Sequence, residues 1–330
     1  MTTVISLQPI YQFVLIALII IGSIKYLKYR GFFTDDDQSV FDKLVTELAL
    51  PAVIFSSLAK LEFSISTIAP ACVLFITLLL ALIIAYIFCR ICKFSRPISG
   101  TIIMASGFGS TATMASPLIY ELFSSQPDVI QKGLTIGTLG SAIPFFTLGV
   151  IIASYFGAQY AEREVRISYT LKNFFMTPIF ISFIVGILVA FLLQEFHIPG
   201  TVYFVDIFTN FFTIISVSMN LLIWIALGLM LRPIKIKFII PILFVIICIK
   251  MLFEPIVATL LSTSLGLSLI TQNLLILENA MPSGAIAAVL ASRYGCDSSL
   301  AGWLIVGTYV ISLITMPLVF MALQINCIFS

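Results

Sequence analysis

Charge is scarce in this chain: only 10% of its 330 residues are Asp, Glu, Lys or Arg, while 60% are hydrophobic, and the mean hydropathy is +1.16. Soluble domains carry about a quarter of their residues as charges. The composition therefore excludes that class and fits an all-α polytopic protein embedded in a lipid bilayer. The net charge is only +2 and the basic residues are dispersed, which argues against nucleic acid as a partner. Histidine is almost missing, with His197 the one copy, and the six cysteines are scattered. The closely spaced pair Cys89 and Cys92 lacks the further ligands of a metal or redox centre and reads as two ordinary thiols at a helix end. Also missing are a phosphate-binding Gly-x-x-x-x-Gly-Lys loop and any Ser/His/Asp set at membrane depth. No cofactor, no metal and no enzymatic activity are expected, and an ATP-driven pump is disfavoured. Met1 to Pro9 has no basic residue and no small-residue cleavage site follows, so the first apolar run is expected to remain as a span.

What is present is a succession of long apolar runs. Roughly 20 apolar residues cross a hydrocarbon core of about 30 Å. Ten such segments fall at about 9–27, 40–59, 66–92, 97–123, 129–156, 172–194, 203–231, 237–262, 267–292 and 299–325. With ten spans, fourteen of the seventeen basic residues lie in alternate connectors, and the other side has only Lys60 and Lys132. Positive residues stay on the cytoplasmic side, so both termini are expected outside. An odd number of spans per half makes residues 158–330 an upside-down copy of residues 1–157, the 5+5 inverted repeat of many secondary transporters.

Two segments interrupt the apolar pattern with residues unsuited to a passive anchor. The first is Ser106-Gly107-Phe108-Gly109-Ser110-Thr111-Ala112-Thr113-Met114-Ala115-Ser116-Pro117; the second is Leu277-Glu278-Asn279-Ala280-Met281-Pro282-Ser283-Gly284-Ala285. Proline removes a backbone donor and glycine loosens the helix, so carbonyls freed in lipid must be satisfied by protein or by an enclosed aqueous site. Broken membrane helices of this kind commonly build solute or ion sites. Pro117 and Pro282 lie 165 residues apart, half of the chain. Span 4 then rises as span 9 descends, and the two breaks are expected to cross at mid-depth. Ser110, Thr111, Thr113 and Pro117 from the first, with Asn279, Pro282 and Ser283 from the second, are the candidate substrate-binding residues. Close helix packing by small residues is the alternative for the first break.

The other costly residues are Lys250 and Glu254 in span 8. A charge at bilayer depth costs at least about 2.5–3.5 kcal/mol, and a spacing of four places the two on one face. They form either a self-neutralising pair or a functional one. In the functional reading Lys250 is the counter-charge for an anionic solute, or an internal ammonium standing where a coupling cation would sit beside Glu278. Glu254 and Glu278 are the ion-coupling candidates. Glu47, four residues before Pro51, reads as a helix-packing contact, and His197 and Asp206 as solvated surface residues.

The run Glu278-Asn279-Ala280-Met281-Pro282-Ser283-Gly284-Ala285, followed by Ala288-Val289-Leu290-Ala291-Ser292-Arg293-Tyr294-Gly295, resembles span 9 of the auxin efflux carrier family of membrane transporters. Leu48-Ala49-Leu50-Pro51-Ala52-Val53-Ile54-Phe55-Ser56-Ser57-Leu58-Ala59, Leu227-Gly228-Leu229 and the Pro317 region are similar as well. Span 4 departs from the family pattern, with Ser110 where an Asn is usual and Ala115-Ser116-Pro117 at the break. The resemblance implies a scaffold bundle of spans 1, 2, 6 and 7, with a homodimer interface. Spans 3–5 and 8–10 would form a mobile transport bundle around the crossed helices. It also implies a small organic anion as substrate, such as an aromatic acid or short dicarboxylate, and a compact bacterial-type member in the cell (inner) membrane. A cation/proton exchanger or sodium-coupled symporter on the same fold, and a membrane-embedded sensor without flux, are the alternatives.

Overall fold

The computed structural model describes residues 8–59, 65–158, 175–195 and 218–328, with isolated positions between 207 and 215. Lys60, Arg163, Arg166, Lys172, His197 and Asp206 lie outside the described residues. Within them the chain is helical. Five runs are each long and apolar enough to cross a membrane: Ile10–Tyr29, Ser66–Ile91, Pro127–Gly157, Ile236–Ser264 and Ser298–Val319. The protein is therefore a multi-helical membrane-spanning protein.

The elements in chain order are α1 (Gln8–Tyr29), α2 (Asp35–Lys43), α3 (Leu50–Ala59), α4 (Ile65–Ile91), α5 (Arg96–Gly107) and α6 (Ser116–Leu122). They continue with α7 (Pro127–Gly137), α8 (Val150–Gly157), α9 (Pro178–Glu195) and α10 (Met219–Met230). The last five are α11 (Ile236–Ile247), α12 (Glu254–Ser264), α13 (Leu269–Asn279), α14 (Ala285–Arg293) and α15 (Ser298–Ile328). Among the described residues fewer unbroken runs than apolar segments appear. Segments 97–123 and 267–292 are each divided by a non-helical break, 40–59 continues from the acidic helix α2, and 172–194 and 203–231 are described only in part.

Proline shapes the local geometry. Wider π-helical turns occupy Leu44–Ala49, Thr111–Ala115, Thr138–Ala142, Phe145–Gly149 and Cys248–Phe253. Four of these five end two residues before a proline, namely Pro51, Pro117, Pro144 and Pro255. Proline cannot donate to the carbonyl four residues back and its ring crowds that carbonyl, so the preceding turn widens rather than leave the helix axis. Each widened turn also re-aims the side chains around it.

The centre of the molecule is built from small residues. In α14 every residue from Ala285 to Ala291 is buried, and in α5 every residue from Ser99 to Gly107. A helix buried on all faces belongs to the core, and alanine, glycine and serine allow close backbone approach there. Outer faces are apolar. Ile76, Ile83 and Ile87 on α4, and Ile181, Ile184, Leu188 and Phe191 on α9, are exposed at helical spacing, as a lipid-facing stripe requires. The helices α9 and α3, α1 and α10, and α12 and α13 pack as close neighbours.

Candidate functional site

Both sequence breaks are interruptions of helix, and they meet. α5 stops at Gly107 and helix resumes at Thr111; α13 stops at Asn279 and helix resumes at Ala285. Gly109 and Ser283 face each other as an antiparallel bridge, with Ser110 N–H donating to Pro282 O at 2.8 Å and Gly284 N–H to Phe108 O at 2.8 Å. Two extended segments thus satisfy each other's backbone groups where no water is available. The approach is close enough to require glycine. A Cβ on Gly284 would lie 2.7 Å from the Gly109 carbonyl oxygen.

Side chains lock the crossing. Ser283 donates to Ala105 O at 2.6 Å, and the Ser110 hydroxyl lies 2.5 Å from that of Thr113 and 3.3 Å from the hydroxyl of the fully buried Tyr309. Asn279 accepts from Thr77 of α4 at 2.7 Å and donates to Leu275 O at 2.8 Å. Behind the crossing, Lys250 is ion-paired with Glu254, reaches Gly107 O at 3.5 Å, and lies against Gly109. Both charges are almost completely buried, with side-chain exposures of 4% and 2%.

On the other side of the crossing is a cavity of about 360 Å³. Thr111, Thr113 and Ser116 from the first break line it, together with Glu278 from the second. Its walls come from Val53, Ser56 and Ser57 of α3, Gln131, Leu134 and Thr135 of α7, Thr138 beyond α7, and Met219 and Asn220 of α10. This volume lies within the range of small-ligand sites. Helix restarts at Thr111, so its first-turn N–H groups lack intrahelical acceptors, and they carry the positive end of the helix dipole.

The structure thus brings Thr111, Thr113 and Glu278 to the cavity. It turns Asn279, Pro282 and Ser283 inward as parts of the crossing, and sets Lys250 and Glu254 behind it. Ser110 borders a smaller recess beside the cavity, shared with Gly109, Phe145 and Gly284; Pro117 borders neither. Glu47, half exposed, makes a polar contact between packed helices, accepting from Arg293 at the end of α14 at 2.7 Å. Cys89 and Cys92 are free thiols. Among the described residues, no group of three His, Cys, Asp or Glu could hold a metal ion.

Several residues were not singled out from the sequence. Gln131, Thr135 and Thr138 recur at helical spacing in span 5, and this polar stripe in an apolar segment was a readable signal. Thr77 and Tyr309 gave no such signal, since the partner of each comes from a distant part of the chain.

The end of α14 remote from the cavity is held to α2. Ser292 donates to Asp42 at 2.5 Å and accepts from Gln38 at 2.8 Å, next to the Arg293–Glu47 pair. Nearby, Lys28 binds Asp35 at 2.6 Å and Arg232 lies 3.4 Å from it; these cations, Lys28 first, hold the Asp35 carboxyl below the usual carboxylate range.

Comparison with known proteins places this geometry among transporters. The model of a family described as membrane transport proteins matches residues 9–320. An uncharacterized transporter of Methanocaldococcus jannaschii is 26% identical over 316 residues, covering 92% of this chain and 96% of the relative. A second uncharacterized transporter, of Methanothermobacter thermautotrophicus, is 24% identical over 305 residues, covering 92% and 94%.

Proposed function

We propose that this chain, which belongs to the auxin efflux carrier family of membrane transport proteins, moves small carboxylates across the membrane by alternating access. The observation that carries the reading is the bridge of two interrupted helices beside a cavity of about 360 Å³ lined by hydroxyls. Thr111 and Thr113, with the first-turn amides of the helix that restarts there, offer donors and a positive dipole end to an anion. Ser110, Pro117, Asn279, Pro282 and Ser283 shape the breaks that hold those donors. Lys250 acts from behind the crossing, offsetting buried carboxylate charge rather than touching the solute.

In this reading ten spans form a 5+5 inverted repeat, with residues 1–157 and 158–330 as its halves. One bundle is α1–α3 with α9 and α10, and its pairings of α9 with α3 and α1 with α10 support a separate scaffold. The other comprises α4–α8 and α11–α15. The cavity lies between α3 and α10 on one side and the crossing with α7 on the other, along the seam between the bundles. The α2–α14 contacts close the opposite end. With basic connectors inside, the cavity faces outward, and sliding of the second bundle against the first would expose the crossing to the other side.

The test is exchange of radiolabelled malonate and malate in proteoliposomes. Exchange by the wild type, with affinity lowered about tenfold in Thr113→Val, is expected. Thermal stabilisation by a carboxylate without exchange would make the protein a sensor. Flux that follows sodium or pH with no organic anion would make it a cation exchanger.

A further inference from the structure

We propose that Glu278 is a proton-binding site, and that the solute anion crosses together with one proton held there. This rests on the reading of the cavity as a carboxylate site. Three ionisable groups form one buried cluster around the crossing: Lys250, Glu254 and Glu278, with residue exposures of 3%, 1% and 2%. One ammonium against two carboxylates leaves the cluster a single negative charge in excess when all are ionised. A buried charge without a partner is costly and is ordinarily neutralised, here by one proton.

Geometry assigns that proton to Glu278. Glu254 is ion-paired with Lys250 and does not line the cavity. Glu278 does line it, so its carboxylate is the one that exchanges protons with cavity water. Each carboxylate has one buried oxygen without a hydrogen-bond partner, Oε1 of Glu254 and Oε2 of Glu278, but Glu254 holds Lys250 through its other oxygen. The other oxygen of Glu278 fits against Gly137, where a Cβ would come within 2.7 Å of it. The elements packed against α13 offer few other charges. Lys250 comes from the π-helical turn before α12, Glu254 from α12, Tyr309 from α15, and Lys132 from α7, where it is engaged with Thr271 at 2.6 Å. Thr111 sits beside the Glu278 carboxyl against Gly137, its hydroxyl 3.1 Å from that of Ser141, and supplies no charge. α4 presents Thr77 to this region, and its Arg90 lies at the far end of the helix.

Coupling follows from charge. With Glu278 ionised, an entering carboxylate meets a like charge across the cavity, which disfavours its binding. Once a proton passes from cavity water to Glu278, Lys250 and Glu254 form a neutral pair. The anion then meets only hydroxyls and the amides near Thr111. Proton and anion bind together, and when the site opens to the other side the anion leaves and the proton returns to water.

Two readouts test this. Infrared difference spectroscopy of the purified wild type between mildly acidic and alkaline pH should show a protonated carboxyl band. The band should be lost in Glu278→Gln and should move in Thr111→Val, which alters the surroundings of Glu278. Absence of the band, or a band unmoved in Thr111→Val, would overturn the assignment whatever the solute. In proteoliposomes, an inward gradient of one pH unit should drive malonate accumulation up to about tenfold in the wild type. Glu278→Gln should exchange malonate without accumulating it. Wild-type exchange indifferent to the gradient would overturn the coupling and leave the carboxylate reading standing. Failure of exchange would count against that reading alone, because the infrared measurement needs no solute.

Discussion

The two interrupted helices are alike in backbone and unlike in side chains. Each stops, runs extended for a few residues, and restarts, and each supplies one strand of the same two-residue bridge. The first break sends Thr111, Thr113 and Ser116 to the cavity and keeps Ser110 for the crossing. The second spends most of its groups on the crossing, through Asn279 and Ser283, and sends only Glu278 to the cavity. Their following half-helices differ as well. α6 runs beside the cavity, whereas α14 is enclosed and tethered at its far end to α2 and the turn after it. One backbone device thus serves two tasks, with one copy presenting donors and the other holding the frame that keeps them in place.

The frame can be broken most severely from behind. Lys250→Ala leaves Glu254 buried without its partner and should cost about 3–5 kcal/mol, seen as a loss of folded protein in detergent. The paired replacement Lys250→Met with Glu254→Gln should recover most of that stability, and a double variant as unstable as the single one would contradict the ion-pair account. Next in size is Gly284→Val, whose Cβ must displace the Gly109 backbone; overpacking of this kind costs about 1–3 kcal/mol. The comparable change at the first break, Thr113→Val, should leave unfolding unchanged within about 1 kcal/mol while weakening anion binding. Equal destabilisation by the two would erase the division of tasks. Thr77→Val removes the hydroxyl that Asn279 accepts from and should lower stability by about 1–2 kcal/mol without altering solute affinity at temperatures where the protein stays folded. The smallest effect is expected for Glu47→Ala, since a half-exposed ion pair contributes about 0–1 kcal/mol. Its consequence should be a shift in how often the α2–α14 end opens, read as a faster reaction of a thiol placed at Ser292.

Much of the site was legible because membrane depth makes polar residues expensive. Glu278, Thr111, Thr113, Lys250 and Glu254 stand out from apolar runs on that ground alone, and so do the glycines and prolines of the breaks. Direction was not legible. Asn279 and Ser283 bear the same chemistry as cavity donors, yet their partners Thr77 and Ala105 come from other helices, and only the fold decides which way they point. Lys250 shows the same limit, since its depth was readable but its place behind Gly109 was not. The cavity walls from α3 and α10 depend on how distant segments pack. The stripe of Gln131, Thr135 and Thr138, by contrast, lay open in the helical period.

The central claim is that the crossing faces an open, solute-binding cavity, and a thiol at Thr113 tests it most directly. In a cysteine-free background, Thr113→Cys should react with a membrane-impermeant maleimide added from one side only, and saturating malonate or malate should slow the reaction at least severalfold. A thiol inert from both sides, or labelled at the same rate with every carboxylate tried, would contradict the account.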